Sequence, residues 1–259
     1  MPVVIEENTN FERPLNHARI CYDNKVIDAT VTATSEQTNF EATAVQNPFT
    51  YEFWRPNSQT ASLTIAFDSS QDIDYIALGS QNLKGEITIK NGSTEVITYD
   101  ATGENENILF LIKERSFDSL VIEIDSTSYG ELAGSLGVVY AGKTLEMYRP
   151  FFEGFTPFLR SRTTKILSNK SESGQFLGKS IINQGYRANF EWDNLPSKWY
   201  NEHFDAFVEK ALQYPFFVAW NPLRYPDDIL YCEVNQDIIP TFTGTKDFLR
   251  VGFRAEGIK

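Results

Sequence analysis

The chain has 259 residues, 41% hydrophobic and 22% charged, a globular composition that excludes a disordered or collagen-like chain. Its net charge is −12, and the imbalance sits in one half: residues 1–145 hold 9 Lys+Arg against 21 Asp+Glu, while residues 146–259 hold 14 of each. That asymmetry suggests two domains with different surfaces and argues against nucleic-acid binding, which needs clustered cations. The 20 Phe, 12 Tyr and 4 Trp favour strands. Cys21 and Cys232 are too few for a disulfide framework or a zinc site and read as buried thiols. Met1-Pro-Val-Val-Ile-Glu-Glu7 lacks the basic and apolar regions of a signal peptide, and no apolar run reaches the roughly 20 residues of a membrane span. Synthesis in a cytoplasm and no membrane insertion are the expectations.

Residues 1–28 read as an extended segment, with Phe11, Pro14 and Leu15 lying on a neighbour. Residues 29–145 read as a β-sandwich of short strands: Val31-Thr-Ala-Thr-Ser35, Leu63-Thr-Ile-Ala-Phe67, Tyr75-Ile-Ala-Leu-Gly79, Ile108–Ile112, Leu120–Ile124 and 134–141. Ile87–Ile97 reads as a hairpin turning at Asn91-Gly92, the preferred pair for a tight primed turn. Tyr148-Arg-Pro-Phe-Phe-Glu-Gly-Phe-Thr-Pro157 reads as a connector that packs as it goes, because flexible linkers lack aromatics.

Residues 146–259 read as an antiparallel β-sheet or barrel packed by one helix. Thr163–Leu167 is a short strand, 168–179 a polar loop with a mobile tip at 168–175, and 180–192 a long strand burying Tyr186, Ala188, Phe190 and Trp192 on one face. The helix, about 197–213, carries the stripe Tyr200, Phe204, Phe207, Val208 and Ala211, and Pro215 stops it. Phe216–Trp220 and Ile229–Val234 form a hairpin, and Phe248–Ala255 closes the sheet. A helix across one sheet face leaves the other face available to partners.

Catalysis needs a nucleophile, a base and an orienting group. The chain holds two histidines. His203 falls on the rim of the helix stripe, and His17 with Cys21 lies in a segment without helical pattern. None of the common nucleophile, metalloprotease or phosphate-loop motifs occurs. Asp72 and Asp74 alternate on a strand and could join Asp68 around a cation, but without ligand spacing; Asp227-Asp228 reads as a solvated turn. The expectation is a chain with no catalytic residues, no cofactor and no metal, and thus not an enzyme. The recognition candidates lie in 39–56, where aromatics and amides concentrate. Asn39, Trp54 and Arg55 are candidate glycan contacts; the alternative is that Trp54 plugs one end of the sandwich.

The first half, from Val31–Ser35 through Phe53-Trp-Arg-Pro56 to Gly137-Val-Val-Tyr140, resembles the galactose-binding-like (discoidin-type) jelly roll. The second resembles a family of phage tail structural proteins of distal-tail or baseplate type. Leu145-Glu-Met-Tyr-Arg-Pro150, Gly174–Tyr186, Pro215-Phe-Phe-Val-Ala-Trp-Asn-Pro222, Tyr225-Pro226 and Phe253–Gly257 carry that resemblance. It implies a virion protein that forms a ring with copies of itself, hexameric or trimeric, beside other phage tail proteins. The jelly roll would sit outside, able to meet a host-surface glycan. Lys170, Glu172, Gln175, Phe176 and Leu177 are the candidate contacts between subunits.

Overall fold

A computed structural model describes residues 3–104, 106–151, 155–244 and 247–258. The chain is mainly β, with two largely antiparallel sheets and one helix among the described residues. In chain order the strands are β1 Val3–Ile5, β2 Arg19–Cys21, β3 Thr30–Ala33, β4 Thr60–Gln81, β5 Lys84–Asn91, β6 Thr94–Thr102, β7 Ile108–Asp125, β8 Leu136–Gly142, β9 Leu145–Glu146, β10 Arg162–Lys170 and β11 Phe176–Pro196. The helix α1 covers 197–211, followed by β12 Phe216–Ala219, β13 Ile229–Glu233, β14 Thr241–Phe242 and β15 Phe248–Ile258.

The first sheet runs β3-β4-β7-β5-β6, with β8 paired to β4 and β1 lying parallel to β7. Leu63–Phe67 and Tyr75–Gly79 belong to one strand, β4, not two; Ile108–Ile112 and Leu120–Ile124 likewise share β7. The β4–β7 ladder shifts register between Ala66 and Gln71. Such irregularities bend strands sharply, and here residues on both sides of the bend enter one core: Leu63 and Ile65 with Ile76 and Leu78, Phe110 with Ile122. The hairpin expected near Asn91 forms, with its turn one residue later, on Gly92 and Ser93; Gly92 has φ +58°.

The second sheet runs β10-β11-β15-β13-β12-β2-β9. Helix α1 is π-wound in its middle turn, Tyr200–Phe204. Its expected stripe is inward: Tyr200, Phe204, Phe207 and Ala211 are buried and Val208 packs against the same core. Against it stand Trp192, Phe190 and Phe253, with Phe207 and Phe216 edge-to-face at 4.9 Å. In the connector, Phe151 stacks on Phe155 at 4.1 Å and on Trp192 at 4.6 Å; its residues 152–154 lie outside those described.

The expectation that the second sheet keeps a free face is corrected by a third core. Phe217 and Ala219 of β12, Ile229 and Tyr231 of β13 and Cys21 of β2 pack on Tyr75, Ala77, Leu109, Leu111, Val138 and Tyr140 of the first sheet. Alternation explains it. In β4, β7 and β8 one parity enters the first core and the other enters this shared one, so the layer is buried on both sides. Continuous runs such as Ile108-Leu-Phe-Leu-Ile112 are what two buried faces require.

Most polar groups at the shared core are paired; the buried Asn107 Oδ1 meets no donor among the described residues. Tyr140 donates to Pro215 O at 2.6 Å, Tyr231 donates to Pro48 O, and Asn107 Nδ2 donates to Ile258 O at 3.1 Å. A Cβ on Gly79 would lie 2.7 Å from Phe217 Cζ, so the sheets approach closely there. Burial raises the phenol pKa values of Tyr75, Tyr140 and Tyr231. An unfolded tyrosine ionises near about 10. Above that pH the unfolded state sheds protons while the folded phenols keep theirs, so stability present below it is lost as pH rises. Tyr231→Phe strands the Pro48 carbonyl and is expected to cost about 1–3 kcal/mol in urea unfolding at neutral pH. It should also flatten the loss of stability above pH ~10.

Candidate functional site

Residues 162–186 form a projecting hairpin of β10 and the first half of β11, paired from Arg162↔Tyr186 to Lys170↔Phe176. This corrects the polar loop expected at 168–179, with its tip at 168–175. Only 171–175 is turn, closed by Gly174 N–H donating to Ser171 O at 2.9 Å and Gln175 N–H donating to Ser171 Oγ at 3.0 Å. Gly174 takes φ +82°, which favours glycine there.

The structure brings the five predicted contact residues together at the hairpin tip. Lys170, Glu172, Gln175, Phe176 and Leu177 are all exposed, Phe176 at 78% and Leu177 at 65%. Lys170 Nζ sits 5.2 Å from the centre of the Phe176 ring. Sequence reasoning missed the shaft, where Ile166, Leu167, Ile181 and Ile182 are also exposed. The signal was available: apolar residues at consecutive positions occupy both faces of a strand, and both faces of this hairpin are open. The hairpin is basic, with Arg162, Lys165, Lys170 and Lys179 against Glu172, on a chain of net charge −12. β10 is a terminal strand of its sheet, so its outer backbone groups face no neighbouring strand.

The glycan candidates are divided. Trp54 is 0% exposed within the first core, and its indole N–H donates to Ser35 O at 3.0 Å. It is the plug, and its burial corrects the reading as a sugar contact. Arg55 is partly buried, its guanidinium 4.9 Å from the Phe40 ring and 5.1 Å from the Phe53 ring; those two rings stack at 4.8 Å. Asn39 is exposed, with φ +69°. A shallow cleft of about 250 Å³ there is lined by Asn39, Phe40, Glu41, Tyr51, Glu52 and Phe53. Tyr51, 72% exposed, offers the open aromatic face that the sequence reading had assigned to Trp54.

Most of the remaining reactive groups are tied into the fold. His17 Nδ1 lies 2.7 Å from Met147 O, and burial pushes its pKa down. Cys21 and Cys232 are buried free thiols whose pKa burial raises, the opposite of an activated nucleophile. His203 is exposed on the helix rim as expected. Asp72 accepts from Ser116 Oγ at 2.5 Å; Asp74 accepts from Thr144 N–H at 2.7 Å and pairs with Lys143. Asp74's pKa is raised by burial. Asp228 corrects the solvated-turn reading: it is buried and accepts from Leu159 N–H at 3.0 Å and Trp220 Nε1–H at 2.8 Å, which leaves only Asp227 exposed. No group of three or more His, Cys, Asp and Glu that could hold a metal occurs among the described residues.

No family model and no curated protein matches the chain. Solved structures similar to part of it include chitosan-binding module 1 of a chitosanase/glucanase from Paenibacillus sp. IK-5, at 18% identity and TM-score 0.41, covering 47% of this chain and 99% of that one. The family 32 CBM from C. perfringens NanJ, in complex with galactose, gives 15% identity and TM-score 0.40 over 48% and 98% of the two chains. A Streptococcus pneumoniae fucose binding module gives 14% identity and TM-score 0.38 over 47% and 98%.

Proposed function

We propose that this chain is a non-enzymatic structural protein that assembles with copies of itself, in the setting its second half resembles, a ring at the tip or baseplate of a phage tail. The observation that carries the proposal is the hairpin 162–186, which holds six exposed large apolar side chains on a basic arm: Ile166, Leu167, Phe176, Leu177, Ile181 and Ile182. Scattered exposed apolar residues need no explanation, but a contiguous set on one projecting element marks an interface. An arm that docks on a different part of its neighbour makes a heterologous contact, which closes into a ring when the rotation allows. The chain's negative charge outside the arm supplies a complementary surface on each neighbour. Negative-stain electron microscopy of the concentrated protein tests this. Rings of one symmetry are expected, and monomers in every field would refute it.

A second reading, carbohydrate recognition, is favoured by the cleft of Asn39, Glu41, Tyr51 and Glu52, where an exposed ring stands beside amide and carboxylate groups. An aromatic face packs on the C–H face of a sugar, and the polar groups pair with its hydroxyls. Tyr51→Ala should then abolish binding to host cell-wall glycan without moving the melting temperature. Equal binding by the variant would remove this reading.

A further inference from the structure

A second cleft, of about 580 Å³, opens at the root of the hairpin, between the loop Pro48–Thr50 and the last strand's end, Glu256–Ile258. Its floor is the β10–β11–β15–β13 ladder, where Tyr186 pairs with Gly257 and Cys232 with Gly257. Gly185 and Gly257 leave that floor without side chains; a Cβ on Gly257 would lie 2.2 Å from Tyr231 O. The walls are held in place. Tyr231 fixes the loop through Pro48 O, with Phe49 next to it 44% exposed, and Arg187 Nε donates to Glu256 Oε1 at 2.9 Å on the other side.

The lining selects among ligands. Lys165 and Arg187 balance Glu233 and Glu256, so the cleft attracts neither phosphate nor cation by net charge. What remains is donors and acceptors in even supply, from Thr163, Asn183, Gln184, Arg187, Glu233 and Glu256, beside one open aromatic ring. A sugar hydroxyl both donates and accepts, so it pairs with amide, carboxylate and guanidinium groups together, while its C–H face packs on an aromatic ring. The volume lies in the range of small-molecule sites, about 300–1,000 Å³.

We propose that this cleft binds a neutral oligosaccharide between Phe49 and the rim residues Gln184 and Arg187. It is separate from the cleft of Asn39 and Tyr51, and it lies at the root of the assembly arm, adjoining the arm's apolar residues 166–182. The test is an array of neutral, sialylated and sulfated oligosaccharides probed with the full chain, followed by calorimetry on the strongest neutral hit. Phe49→Ala and the double variant Gln184→Ala/Arg187→Ala should each weaken binding about tenfold or more. Their thermal melts should match the parent, because these side chains are on the surface, and Tyr51→Ala should bind normally. Binding confined to acidic glycans, no binding at millimolar sugar, or binding lost in Tyr51→Ala and kept in both cleft variants would overturn the proposal.

Discussion

Replacing Trp54 with Ala is expected to destabilise the chain by about 3–5 kcal/mol, the cost of removing a large aromatic from a close-packed core. Trp54 has no exposed surface, its backbone exchanges hydrogen bonds of 2.8 and 2.9 Å with Leu136, and its indole caps the Ser35 carbonyl. The substitution leaves a cavity and an orphaned acceptor together. Trp54→Phe keeps most of the packing and should cost less, mainly the lost hydrogen bond. Urea unfolding separates this account from a ligand-contact role. A surface sugar platform cut to Ala would change stability by no more than about 0.5 kcal/mol, so a near-neutral Trp54→Ala would mean that the indole is not the plug.

The other large effect concerns the hairpin. Leu167→Ser, Phe176→Ser, Leu177→Ser and Ile181→Ser combined should weaken self-association by about 100-fold or more. Burying one such side chain is worth about 1.5–3 kcal/mol and every 1.4 kcal/mol is tenfold. All four are more than half exposed, so the folded monomer should barely notice. Light scattering over a concentration series reads the first effect and a thermal melt the second. A defined stoichiometry in the parent that gives way to monomers fits a built interface. Shapeless aggregation in the parent, reduced by the same substitutions, would fit only an unprotected edge.

Local pattern and long-range pairing were unequally legible in the sequence. The helix stripe from Tyr200 to Ala211 and the alternation from Tyr186 to Trp192 follow from one-sided burial, which writes a clean period. Reading separate strands on either side of 68–74 and of 113–119 was misleading. Polar residues there mark the bend of long strands, where the chain passes solvent without leaving the ladder's path. The shared core was hidden for the opposite reason: Tyr75–Leu78 and Phe216–Ala219 are apolar at every position, and a pattern without period does not say which partner covers each face. At the hairpin, Lys170 to Gln175 has a loop's composition because the tip meets only solvent within one chain. The tip residues named from the sequence lie together and are exposed, whereas the exposed shaft residues Ile166 and Ile182 were not named. Trp54 shows the limit for sites, since its burial depends on Leu136 and Ser35, far away in the chain or on another loop.

The claim that the hairpin joins copies is tested most directly at its tip. Gln175→Cys places one accessible thiol there, because Cys21 and Cys232 are buried and do not compete. A photo-crosslinker attached to that thiol, in an equal mixture of ¹⁴N- and ¹⁵N-labelled protein, should give cross-linked peptide pairs of mixed isotope, joining the tip of one copy to the body of another. Pairs of a single isotope alone, or no pairs at concentrations where the protein is fully loaded with the probe, would contradict it.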